Sequence, residues 1–160
     1  MSQHRVWVYG DNVNTDQIFP GKCTYTLRNQ DEIAAKALED LDSSFAPNVQ
    51  PGDIIVAGEN WGCGSSREQA VTALKWSGVD VIVAVSFNGL YYRNCINQGV
   101  RPVICAEMHK VVRTGDTITL ENDAIRAAGG TFPVDPLPEF VQRIIDAGGL
   151  VPMLQGRTYN

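Results

Sequence analysis

Cysteine is scarce in this 160-residue chain, and its four copies are scattered: Cys23, Cys63, Cys95 and Cys105 form no C-x-x-C pair. Neither a disulfide framework nor a metal site within the chain is expected from such spacing. Basic charge is also short. With 13 Lys and Arg against 18 Asp and Glu, the net charge is −5 and the pI near 4.9, which leaves no basic face for nucleic acid and no polybasic segment for a membrane. Apolar runs are strand-sized at most. Met1-Ser2-Gln3-His4-Arg5 has neither the apolar h-region nor the cleavage site of a secretory leader, so the chain is expected in the cytoplasm. Repeats, low-complexity tracts and linkers are missing as well. At 44% hydrophobic residues this length closes one sizeable core, and one domain is expected over 1–160.

What is present is organised around Gly58 to Ala70, GENWGCGSSREQA. It lies between the apolar run Asp53–Ala57 and a helical pattern from about 67 to 77, closed by Gly78, and so reads as a strand-to-helix turn. Glycines let backbone approach a bound group, and a helix start offers free N–H donors and a positive dipole end. Ser65, Ser66 and Arg67 sit where those donors converge, a combination suited to a small carboxylate.

Around this turn the periodicities predict an α/β fold. Val6–Tyr9 is a short strand, and the stretch Gly10–Gly21 is dense in turn formers, either a structural turn capped by Asx side chains or a functional loop. Residues 22–28 lack a period and read as a mobile or partner-contacting loop. Ile33, Ala34, Ala37, Leu38 and Leu41 predict a helix over 31–41, and 47–52 is a connection. Val79–Val85 reads as a strand covered on both faces, Leu90–Asn97 as a helix stopped by Gly99, and Arg101–Cys105 as a further buried strand, giving a right-handed parallel unit. Alternation over 111–120 around Gly115-Asp116 predicts antiparallel strands beside it, and a last helix runs over 139–147 before Gly148-Gly149.

Nucleotide readings of the glycine turn fail on named residues. No lysine follows Gly64 as a Walker loop requires, and no third glycine stands at Arg67 or Glu68 for a dinucleotide fingerprint. G-x-S-x-G is absent, and neither His4 nor His109 has the setting of a triad partner. Cys63 is better explained as a small side chain packed under a tight loop than as a nucleophile. Ser86, Arg93 and Asn94, at the carboxyl end of the next strand, either brace the glycine turn or form an ordinary helix start; Tyr91 and Tyr92 pack.

Three blocks taken together, GDNVNTDQIFPG (10–21), GENWGCGSSREQA (58–70) and SFNGLYYRNCINQG (86–99), resemble the signature blocks of the aconitase swivel domain. From about residue 5 to 155 the chain resembles the separate small subunits of the 3-isopropylmalate dehydratase type, with homoaconitase-like small subunits close by. The resemblance implies a compact swivel domain with a parallel βαβ core flanked by antiparallel strands and helices. It also implies a hydro-lyase that removes and re-adds water on a hydroxy di- or tricarboxylate, as in leucine biosynthesis. A large partner subunit, in a heterodimer or heterotetramer, would carry a [4Fe-4S] cluster as Lewis acid, with no cofactor in this chain.

Carried over by position, Ser65 becomes the base that takes the substrate's α-proton, and Ser66 and Arg67 hold a substrate carboxylate. Asp16 matches the aspartate of the first block, and Arg28, twelve residues on, a carboxylate-binding arginine; Gly62 and Gly64 support the turn. A free hydroxyl is too weak a base near neutral pH, so amides at the helix start and Arg67 are expected to stabilise the Ser65 oxyanion. Gln69, Asn88 and Gly89 depart from the family's Glu-His-Ala and Ser-Phe-Ala-Arg. Homoaconitase, citramalate and dimethylmalate dehydratase small subunits are the alternatives within this class, and a non-catalytic carboxylate-binding or regulatory module is the alternative outside it.

Overall fold

The computed structural model describes residues 3–159; Met1, Ser2 and Asn160 lie outside them, the first two being part of the amino-terminal segment read above. Strands form where apolar residues run without a polar partner face. β1 (Gln3–Val8), β2 (Ile54–Ala57), β3 (Val81–Ala84) and β4 (Arg101–Ile104) pair in parallel and in sequence order. Beyond β1 the sheet continues antiparallel through β5 (Thr117–Leu120), β6 (Ala124–Ala127) and β7 (Gly130–Pro133), giving the order β4-β3-β2-β1-β5-β6-β7.

Side-chain alternation divides the core between the two faces of this sheet. Trp7, Ile55 and Ile82 point to one face, where they meet Phe19, Leu38, Phe45, Leu74 and Tyr91. Val6, Ile54, Val56 and Val83 point to the other, with Val103, Met108, Ile118 and Ile125. All of these except Trp7 and Val103 are under 3% exposed, so β2 and β3 are covered on both sides, which is why they read as unbroken apolar runs; β4, expected to be buried as well, lies at the sheet edge and leaves Ile104 56% exposed. The helix Gln69–Trp76 joins β2 to β3 and the helix Gly89–Asn97 joins β3 to β4.

The helical segment after the first block is shorter than its period suggests. It forms only over Gln30–Ala34, because Leu38 takes a left-handed φ of 57°. There its N–H donates to Ile18 O at 2.8 Å and its side chain is fully buried, so the apolar stripe is kept while the helix is not. The region 111–120 also departs from expectation. Val111 ends a short helix, Met108–Val111, and Gly115-Asp116 only turns the chain into β5; the hairpin partner of β5 is β6. Strands β6 and β7, short helices at Thr15–Ile18 and Phe45–Asn48, a 3-10 turn at Gly21–Cys23 and a terminal helix at Leu150–Tyr159 are further described elements that sequence reasoning missed. No helix among the described residues is long and apolar enough to cross a membrane.

Candidate active site

All three sequence blocks leave the carboxyl ends of parallel strands: the first follows β1, the second β2 and the third β3. Ligands of parallel sheets bind at such an edge. The loops are stitched to one another by main-chain bonds that prolong the ladder past the strands. Asn12 N donates to Glu59 O (2.8 Å), Gly62 N to Val13 O (2.8 Å) and Thr15 N to Cys63 O (2.8 Å) on one side. On the other side Trp61 N donates to Ser86 O (3.1 Å) and Asn88 N to Trp61 O (2.9 Å). Ser86 adds its hydroxyl, which accepts from Asn60 N at 2.8 Å, and Asn94 Nδ2 donates to Ser66 O at 3.0 Å.

Gly62 is needed where the second loop lies on the third. Its φ is 82°, and a Cβ there would fall 2.2 Å from Tyr91 Cγ. Tyr91 cannot retreat, since it is 2% exposed and its hydroxyl donates to Ala70 O at 2.8 Å. Gly62→Ala is therefore expected to cost about 3 kcal/mol or more of folding stability, from overpacking and backbone strain together. Urea denaturation measures it, and a loss below about 1 kcal/mol would show that the loop yields there.

On this frame Ser65 is exposed, yet its Oγ is held from two sides. Arg67 Nε donates to it at 2.9 Å, and Thr15 Oγ1 lies 3.1 Å away. Arg67 reaches further, with Nη1 donating to Thr24 Oγ1 (2.7 Å) and Nη2 to Asp16 Oδ1 (2.6 Å) and Phe19 O (3.3 Å). Of the five N–H donors of a guanidinium, four are thus engaged within the chain. Asp16 is the replaceable partner, because its side chain is 75% exposed while that of Arg67 is 19% exposed. The Asp16 position is thus the one at which Arg67 can exchange its partner for another carboxylate.

The helix start contributes less than expected. The helix that follows the turn begins only at Gln69, and the Ser65 hydroxyl is held by Arg67 and Thr15 rather than by helix amides. The amides of residues 66–69 find no acceptor among the described residues, so they remain open to an anion. Gln69 donates its side-chain N–H to Thr24 O (2.9 Å), and Asn88 caps the helix Gly89–Asn97 by accepting from Leu90 N (3.0 Å) and Tyr91 N (3.4 Å). Both departures from the family pattern thus fill structural roles.

Arg28 stands apart from this group. It is exposed and lines a cleft of about 690 Å³ with Tyr25, Leu27, Gln69, Thr72 and Trp76, joined to the Ser65 group through Thr24. Arg93 is exposed and makes no ion pair among the described residues. Thr15 and Thr24 are the members that sequence reasoning missed. The only signal for Thr15 was its place beside Asp16 in the first block, and Thr24 carried none.

The chain's own thiols do not suit an iron–sulfur cluster. Cys23, Cys95 and Cys105 are buried apart from half-buried Cys63, and no group of three or more His, Cys, Asp or Glu is placed to hold a metal among the described residues. Burial pushes the Cys95 thiol and the Tyr91 phenol well up, so neither serves as an acid or base near neutral pH.

Residues 9–108 match the family model described as the aconitase C-terminal domain, and the chain belongs to that family. Among its relatives, the 3-isopropylmalate dehydratase small subunit 1 of Methanopyrus kandleri is 41% identical over 155 residues, which span 94% of this chain and 91% of that one. The corresponding small subunit 1 of Thermotoga maritima is 43% identical over 159 residues, 97% of this chain and 95% of that one. A crystal structure of 3-isopropylmalate dehydratase from Methanocaldococcus jannaschii superposes with a TM-score of 0.89 at 37% identity, covering 98% of this chain and 95% of its own.

Proposed function

We propose that the chain is one swivel domain, the small subunit of a cytoplasmic hydro-lyase of the 3-isopropylmalate dehydratase type, active with a large partner subunit. The observation that carries this reading is the Ser65 hydroxyl, held by Arg67 Nε at 2.9 Å on a loop edge open to solvent. Ser65 as alkoxide takes the proton beside the substrate carboxylate. The positive charge of Arg67 favours that alkoxide, and a substrate carboxylate displaces Asp16 from Nη2 while Ser66 and the open amides of 66–69 hold its other oxygen. The partner's [4Fe-4S] cluster would supply a Lewis acid for the departing hydroxyl. This chain's share of the reaction is the proton.

The cleft beside Thr24 favours 3-isopropylmalate over homocitrate, citramalate or dimethylmalate. Tyr25, Leu27, Ile33 and Trp76 offer an apolar wall for an isopropyl group, and Arg28 stands at it for a carboxylate. A buried extra carboxylate would need a paired cation, since an unpaired one is very costly. The test assays the assembled enzyme on 3-isopropylmalate, citramalate, dimethylmalate and homocitrate, as wild type and as Arg28→Ala. Turnover of 3-isopropylmalate is expected to dominate and all activities to fall together in the variant. A selective loss on homocitrate would instead assign a homoaconitase. Carboxylate binding without dehydration of any of the four would assign a non-catalytic module.

A further inference from the structure

We infer that Thr15 is a positioning residue for Ser65, its hydroxyl serving with Arg67 Nε as the second donor to the Ser65 oxyanion; this rests on the reading of Ser65 as the base. Thr15 is 2% exposed, so its hydroxyl proton must find an acceptor inside the protein. Its Oγ1 has two polar neighbours, both on Ser65: it accepts from Ser65 N at 3.1 Å and lies 3.1 Å from Ser65 Oγ. An N–H cannot accept, so Ser65 Oγ is the one place for the Thr15 proton. That donation already holds while Ser65 is neutral, and the Ser65 proton then points away from Thr15. Once Ser65 has lost its proton, Thr15 O–H and Arg67 N–H are both directed at the charge. Hydrogen bonds that strengthen in the charged form lower the pKa of the group that carries it.

The placement is built from both loops. Thr15 follows Asn14, whose side chain accepts from Gln17 N at 2.9 Å while Gln17 Oε1 accepts from Asn14 N at 2.9 Å, a closed capping box. The Thr15 amide is fixed on Cys63 O at 2.8 Å. Gly64, at φ 105°, admits the hydroxyl, since a Cβ there would lie 3.1 Å from Thr15 Oγ1. A threonine that merely filled space would not need its hydroxyl aimed at the base from so constrained a backbone.

The experiment compares Thr15→Val, Thr15→Ser and Ser65→Ala in the enzyme assembled with its large subunit, with thermal melts alongside. Valine keeps the branched shape and removes the donor. It is expected to lower kcat about a hundredfold, as loss of one oxyanion donor does, with KM little changed. The acidic limb of the kcat–pH profile should move to higher pH, and Thr15→Ser should restore most of the rate and the limb. Thr15→Ala, read in the same way, replaces valine if the melt shows that valine disturbs folding. A hydroxyl-free variant with kcat within about threefold of wild type and an unmoved limb, beside an inactive Ser65→Ala, would overturn the inference. So would a loss that serine fails to rescue. Activity surviving in Ser65→Ala would instead remove the reading of Ser65 as base.

Discussion

Ser65→Ala is expected to lower turnover of the assembled enzyme by roughly a thousandfold or more, the range in which a general base and its oxyanion support act. The change removes one exposed oxygen whose side-chain partners are Thr15 and Arg67 and leaves the buried Thr15 hydroxyl without its acceptor, so a loss of about 1–3 kcal/mol in stability is expected while the fold and the assembly are kept. Arg67 keeps Asp16, Thr24 and Phe19 O, and its charge stays in place for the substrate carboxylate. KM should therefore change far less than kcat, which separates loss of the base from loss of binding. Steady-state kinetics under anaerobic conditions, with the complex verified by gel filtration, reads both. Retention of more than about a tenth of the wild-type rate would exclude Ser65 as the base.

The second large effect concerns the division of labour between subunits. The purified chain is expected to dehydrate no substituted malate, and activity should appear on mixing with the large subunit. A hydroxyl base can help remove a proton beside a carboxylate, but expulsion of hydroxide near neutral pH needs an electrophile as well. Among the described residues no three His, Cys, Asp or Glu side chains are grouped to hold a metal that could supply one. Activity after mixing should require iron and sulfide in the larger subunit and decline in air. Steady turnover by the chain alone, free of iron, would show that both halves of the reaction reside here.

Legibility in the sequence followed burial. β2, β3 and the helices that follow them were readable because both faces of those strands are covered and Gly78 and Gly99, at φ 100° and 80°, end the helices. Leu38 misled because its spacing is helical while its backbone is left-handed, a conformation that a tertiary bond to Ile18 O holds in place. The alternation over 111–120 misled because β5 takes its hairpin partner from 124–127 ahead and its other partner from β1, not from 111–114. At the site, Ser65 and Arg67 could be picked out as one turn. Their contacts with Thr15, Asp16 and Thr24 could not, since these come from loops 43 to 51 residues away. Only the parallel order of β1 and β2 brings them together.

The main-chain bonds that run past the strand ends have a consequence for catalysis across two subunits. Three loops tied at Asn12, Thr15, Trp61, Gly62 and Asn88 share the stiffness of the sheet beneath them. Fixing a residue's backbone costs about 1–2 kcal/mol of entropy, and here folding has already met that cost before any partner arrives. Docking can then proceed as a swing of one rigid body rather than the ordering of separate loops. On the proposed reading, more of the contact energy between the subunits would be left to place Ser65 against the substrate.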